Sequence, residues 1–191
     1  MRIVVSGLHG GEHFKRTHGD AELLAASDNG VIEHIGDTEQ AIAKFSGRIT
    51  VSGMITERAN ASDHGVIFAH GDTDEVIAGF SGSVTLAGNP GVIEATDNAS
   101  VIIFGQPKLI RTRHSGSVTV VTSNTEYEPE SLYTSDHGSV RLITPGTDRA
   151  QVTSNYLNYH LEKLFPGGQA DPLYVAYAGL LELNQDKYLT V

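Results

Sequence analysis

Apolar and polar positions alternate along this chain in short bursts that recur at a nearly fixed interval. Arg48-Ile-Thr-Val, Gly65-Val-Ile-Phe, Ser83-Val-Thr-Leu, Ser100-Val-Ile-Ile, Ser117-Val-Thr-Val and Ser139-Val-Arg-Leu follow one another at spacings of 17, 18, 17, 17 and 22. Gly30-Val-Ile-Glu precedes them by 18 residues, and Arg2-Ile-Val-Val reads as a first member beyond a longer insertion. Each unit holds a second burst, such as Gly91-Val-Ile-Glu or Lys108-Leu-Ile-Arg, and ends in a turn. Period-two bursts rich in Val, Ile and Thr and broken by Gly, Asn, Asp and Ser predict short strands. Their recurrence predicts a repeat fold in which each unit is one coil of a parallel β-solenoid. A coarser copy lies over this pattern: GVIEHIGDTEQAIAKFSG at residues 30–47 returns as GVIFAHGDTDEVIAGFSG at residues 65–82.

Stacking the bursts predicts columns. Ile49, Val66, Val84, Val101, Val118 and Val140 form one, and Val51, Phe68, Leu86, Ile103, Val120 and Leu142 form another two residues on. Alternation puts both on the core face. The intervening positions, Ile32, Thr50, Ile67, Thr85, Ile102, Thr119 and Arg141, are then expected to point outward. An outward ladder of Ile and Thr is either strand propensity on an exposed face or a surface that another segment or subunit covers. Glu33 falls in the second core column and breaks it, through a register shift or a position near an end. About eight coils at ~4.8 Å each would make a rod on the order of 35–40 Å long.

Two segments depart from the repeat. Residues 8–26 interrupt it and read as an irregular insertion. Residues 124–137 carry Glu126, Glu128, Pro129 and Glu130, which read as an acidic loop bulging from its coil. The coil before it holds Lys108, Arg111 and Arg113, with His114 beside them, as a candidate patch for a partner or phosphate; mutual screening with the acidic loop is the plainer expectation.

Past residue 155 the period becomes helical. Tyr156-Leu157, His160-Leu161 and Leu164-Phe165 recur at helix spacing and stop at Pro166-Gly167-Gly168. Asp171-Pro172 then supplies an N-cap and a first-turn proline for an apolar segment holding Tyr174, Tyr177 and Leu181. The expected organisation is a mainly β solenoid over residues 1–155 and a helical segment over 156–191. That segment is expected to cap the last coil and to make subunit contacts. The candidate interface is Ile67, Thr85, Ile102 and Thr119 on the ladder, with Tyr174, Tyr177 and Leu181 on the tail.

Charge and composition narrow the function. With 13 Lys and Arg against 23 Asp and Glu, the net charge of −10 argues against a nucleic-acid or anionic-membrane surface. The absence of cysteine removes disulfides, thiolate metal sites and cysteine nucleophiles. No signal-peptide pattern or membrane-length apolar run is present, so the expected place is the cytoplasm, or a particle assembled there. His9, Glu12, His13 and His18 are close in sequence but lack a metal-ligand motif. The recurrent Ser-Asp-(Asn/His)-Gly strings read as corners. Asp63, His64, Asp136 and His137 are too many coils apart to share a metal.

The 17–18-residue coil, the Val-x-(Val/Ile/Leu) columns and the Gly/Asn/Asp corners over roughly residues 30–155 resemble bactofilin-like and other short-coil parallel β-helix proteins. The resemblance implies a structural role with end-to-end polymerisation, which a helical tail would block at one end. Compact cysteine-free solenoids with an oligomerising tail also resemble accessory components of phage particles. The expected function is therefore a non-enzymatic structural or assembly protein. It would be a homo-oligomeric part of a larger particle such as a virion decoration, fibre or tail component, partnered by other structural proteins. The alternatives are an acidic binding or inhibitory module and a carbohydrate-active β-helix enzyme. The latter needs paired carboxylates on neighbouring coils, and the outward column offers none. No catalytic residue, cofactor or metal site is assigned, and carbohydrate binding has no support in the residues.

Overall fold

Because each unit offers two alternating bursts, the chain winds between two sheets that face each other across one core. The computed structural model describes residues 1–7, 13–145, 147 and 154–186. It is a parallel β-solenoid of about seven turns. Sheet A comprises β1 (Arg2–Ser6), β3 (Ala21–Ser27), β5 (Thr38–Ala43), the second half of β6 (Arg48–Ala61), β8 (Glu75–Ala78), β10 (Val92–Ala95), β12 (Leu109–Thr112) and β14 (Ser131–Thr134). Sheet B comprises β2 (Phe14–His18), β4 (Val31–Ile35), the first half of β6, β7 (Val66–His70), β9 (Ser83–Ala87), β11 (Ser100–Phe104), β13 (Ser117–Val121) and β15 (Ser139–Ile143).

The described part of the expected insertion at 8–26, residues 13–26, belongs to the solenoid: β2 pairs with β4, and β3 lies between β1 and β5. Its polar strand β2, with Lys15, Arg16 and Thr17 in place of an apolar burst, hid the period. The first strand belongs to sheet A, so it heads the series of second bursts, not the first. Within the acidic segment 124–137, residues 131–134 form β14 and return the chain to the ladder.

The register differs from the expected columns at two rungs. Ile49 pairs with Ile67, and Ile67 with Val84, so Ile67 points into the core and is 0% exposed. Ile32 pairs with Ile49 and is equally buried, which puts Glu33 outside beside Thr50 and Arg16. Glu33 accepts a hydrogen bond from Arg16 Nε at 3.0 Å and is ion-paired with that guanidinium. The outward column of sheet B is thus Arg16, Glu33, Thr50, Phe68, Thr85, Ile102, Thr119 and Arg141.

Two corners fix this register. From sheet A to sheet B the chain makes stacked two-residue turns with both central residues in the left-handed region, as at Asp63 (φ 51°) and His64 (φ 66°). The following residue's N–H bonds the carbonyl three back, as in Gly65 N to Ser62 O at 2.8 Å, which makes them type I′ turns. They are also bonded from rung to rung, as in His64 N to Phe80 O and Ser81 N to Asp97 O. At the opposite corner Gly53 stacks on Gly36, and Gly105 on Gly88 on Gly71, with Gly71 against Met54; a Cβ on Gly105 would lie 1.9 Å from Gly88 O. Outside the glycines runs a side-chain ladder. Asp72 Oδ1 accepts from Asn89 N and Nδ2, Asn89 Oδ1 from Gln106 N, and Gln106 Oε1 from Asn124 Nδ2.

Sheet A lines the core with a small-residue column, Ala26, Ala43, Ala61, Ala78 and Ala95, that continues into Thr112. The Thr112 hydroxyl is buried with no partner among the described residues. Thr112→Val keeps the shape and removes an unsatisfied polar atom. It should raise the unfolding free energy by about 1 kcal/mol, read as a higher urea midpoint at unchanged slope.

Candidate interaction surfaces

From Phe68 to Thr119 the outward column of sheet B is covered by the chain's own helices, while Arg16 and Arg141 toward its ends stay exposed. Helix α1 (Ser154–Leu164) and helix α2 (Pro172–Asp186), joined through a 3₁₀ turn at Gly168–Ala170, pack on the flank of the solenoid and not as a plug over its last coil. Phe68, Ala87, Ile102, Phe104, Val121 and Ile143 on the sheet meet Leu157, Leu161, Leu164, Phe165, Leu180 and Leu181 on the helices as one buried cluster. Helical periodicity of the tail and strand alternation of the ladder each present one apolar stripe, and each buries the other.

That arrangement relocates the expected interface. Thr85 (0% exposed) and Ile102 (1%) are covered intramolecularly, Leu181 is buried, and Tyr177 packs edge-on against Phe104 with ring centroids 5.2 Å apart. Burial raises the pKa of the Tyr177 hydroxyl. Tyr174 meets Phe165 at 6.4 Å, and Thr119 stays half-buried at the margin. Six of the seven named residues therefore do come together or border one seam, within a single chain. Ile67 alone lies on the other side of the sheet.

His160 is the polar member of the seam. It is 5% exposed, with Nδ1 2.7 Å from Thr85 Oγ1 and its ring among Phe68, Tyr156 and Tyr159. Desolvation lowers its pKa to about 4. His70 closes the other side: its Nε2 donates to Leu164 O at 2.8 Å, and its ring stands edge-on to Phe165. The sequence pattern reads His70 as a corner residue and does not mark His160 as a site. His160 could have been marked, because it sits on the apolar stripe of a helix, where a polar group needs a partner. Two clefts of about 520 and 420 Å³ open beside this seam and share Met54 and His70 in their walls. A second buried pair, Thr17 Oγ1 and His34 Nδ1 at 2.8 Å, occupies the core column near the first coils, with His34 Nε2 donating to Asp37 O at 3.4 Å.

The basic residues do not form one patch. Lys108 and Arg113 flank opposite ends of β12, and Arg111 lies between them on the outer face of sheet A, opposite Glu94 in register. Its guanidinium stands 5.9 Å from the Tyr133 ring centre. No acidic side chain of residues 124–137 is ion-paired with any of the three; among the described residues the one ion pair that reaches this segment joins Asp136 to His114. Tyr127 instead anchors that segment, donating its hydroxyl to Pro107 O and packing on the end of the core, and burial pushes its pKa up to about 12.

His9 and Glu12 lie outside the described residues, while His13 and His18 are exposed. Among the described residues no three His, Asp or Glu side chains converge as metal ligands, and no helix is long and apolar enough to cross a membrane.

The outer face of sheet A is uncovered by the described helices. Leu23, Ala25, Ile42, Ile77, Val92 and Leu109 lie on it half-buried, and Val4 is 68% exposed. Its charged neighbours are largely matched, Arg58 with Glu75 at 2.7 Å and Glu94 with Arg111 in register. No protein-family model, no curated protein and no solved structure matches this chain.

Proposed function

We propose that the protein is a non-enzymatic structural protein that assembles, through the outer face of sheet A, into a homo-oligomer within a larger particle such as a virion. The observation that carries this reading is the asymmetry of the two faces. From Phe68 to Ile143 the outer face of sheet B is covered by the chain's own helices, whereas the outer face of sheet A is uncovered and carries Val4, Leu23, Ala25, Ile42, Ile77, Val92 and Leu109 among Gln40, Asn60 and the charges Arg58, Glu75, Glu94 and Arg111. Apolar side chains interspersed with mutually matched charges fit the mixed composition of protein–protein interfaces. In-register pairing repeats the same backbone geometry from rung to rung, which suits repeated lateral packing.

Light scattering on the purified protein should therefore give a defined oligomer. Ile42→Arg together with Ile77→Arg should reduce it to monomer with the strand signal and melting temperature intact, because both side chains point away from the core. A wild-type protein that is monomeric at high concentration, or a double variant that still assembles, overturns the reading.

A further inference from the structure

The type I′ corner alternates in a way its geometry does not require. The first left-handed position of successive turns is Asp28, Phe45, Asp63, Phe80, Asp97, His114 and Asp136. Asp and Asn suit that conformation, and a bulky side chain there is uncommon. Phe45 and Phe80 nonetheless adopt it, at φ 47° and 48°, and their side chains are 56% and 62% exposed. Two aromatic rings are thus held out from a rigid corner, in a conformation that works against them. They belong to the 35-residue copy in the sequence and lie two coils apart.

In-register rungs at ~4.8 Å place Phe45 and Phe80 roughly 9.6 Å apart, with Asp63 midway between them. A cation above Asp63 would have a carboxylate beneath it and an aromatic ring on each side within the ~6 Å at which cation–π attraction acts. His114 takes the next aromatic position, with Nδ1 3.4 Å from Asp97 Oδ1 and Nε2 3.5 Å from Asp136 Oδ2. Asp63 accepts a hydrogen bond from Ser62 Oγ at 2.9 Å, and Asp28 accepts from Ser6 and Ser27, so the carboxylates are oriented but not ion-paired within the described chain. Lys44 and Arg113 directly precede Phe45 and His114, and Arg48 opens the strand that follows the Phe45 turn.

We propose that this ridge docks an extended, basic segment of a partner protein, seating an Arg or Lys over Asp63 between Phe45 and Phe80. A polyproline II segment repeats every three residues, or ~9.3 Å, with every third side chain on the same side. That matches the two-rung period of roughly 9.6 Å. A basic residue at every third position would meet Asp28 and Asp63 in succession, and the prolines between would lie on the phenyl rings. Charge selects this occupant. The acidic positions of the ridge favour a basic segment, and a neutral glycan leaves their carboxylates unanswered.

Fluorescence anisotropy with a labelled peptide of repeated Arg-Pro-Pro triplets tests the proposal on the full chain, with a Gly-Pro-Pro peptide and a labelled neutral glucan oligosaccharide as comparisons. The Arg peptide should bind, more weakly as salt rises, and the comparisons should not. Phe45→Asn with Phe80→Asn should weaken it at least about tenfold, the effect of losing two cation–π contacts of about 1 kcal/mol each. Asp63→Asn should weaken it with the phenyl rings still in place. Asn suits the left-handed position, so the melting temperature of the Phe variants should hold or rise, which separates lost binding from lost fold. Absence of Arg-peptide binding, equal binding by the Asn variants, or preference for the glucan overturns the proposal. Sheet A is untouched by these changes, so oligomerisation and ridge binding succeed or fail independently.

Discussion

Gly105→Ala should lower the stability of the solenoid by about 3 kcal/mol or more, the upper range for forcing an extra carbon into a packed interior. The added Cβ would stand 1.9 Å from the carbonyl oxygen of Gly88 on the preceding coil. Nothing flexible can yield there, because both atoms belong to backbone locked into rung hydrogen bonds: Gly88 N to Phe104 O and Gly105 N to Val121 O, each at 3.0 Å. Relief requires opening at least one of them and separating two coils. Gly179→Ala is the control. It sits in α2 with nothing within 4 Å of the added carbon, and a helix-interior Gly→Ala exchange stabilises by up to about 1 kcal/mol. Urea denaturation of both variants should show opposite shifts in midpoint. Equal midpoints for Gly105→Ala and wild type would mean that the corner column is not packed as described.

Acidification from pH 7 to pH 4 should undock the helices while the solenoid persists. Docking holds the His160 pKa at about 4, below the ordinary 6.5, because the apolar seam disfavours the charged ring. The docked state therefore binds fewer protons than the undocked one between those values. Its stability is complete above pH 6.5 and falls as the pH drops toward 4, by about 3 kcal/mol in total for a shift of this size. The Nε2 bond from His70 to Leu164 survives ring protonation, since both nitrogens then donate. Tyrosine near-ultraviolet dichroism and amide exchange in α1 and α2 should report the loss, with strand dichroism retained. His160→Gln should flatten the dependence over this range; a variant that undocks along the same pH curve would exclude His160 as the cause.

The turn chemistry made the solenoid legible, and the same chemistry would have fixed its register. Gly30, Gly47, Gly65, Gly82, Gly116 and Gly138 each close a type I′ turn, and Ala99 does so at the remaining rung. Aligning on these residues pairs Val66 with Ser83 and brings Ile67 inside. Aligning on apolar triplets misleads, because Val66-Ile67-Phe68 is apolar at every position once a helix covers its outer face, and such a run has no alternation to read. Likewise the strand at residues 14–18 presents Lys15 and Arg16 near an end of the ladder, where no apolar pattern is demanded. The tail was legible as two helices. Its location was not, since a stripe of Leu and Tyr specifies an apolar partner without saying which one.

The alternation at the type I′ corner also sets the unit by which such a rod can lengthen. Gain or loss of one coil keeps every β-ladder intact but puts the ridge out of phase, bringing two carboxylates or two phenyl groups onto adjacent rungs. A step of two coils keeps both. The near-duplicate stretches 30–47 and 65–82 lie one such step apart. The heritable module of this fold is therefore a dimer of coils, and its length variants should be quantised in steps of about thirty-five residues, two of the ~4.8 Å rungs at a time.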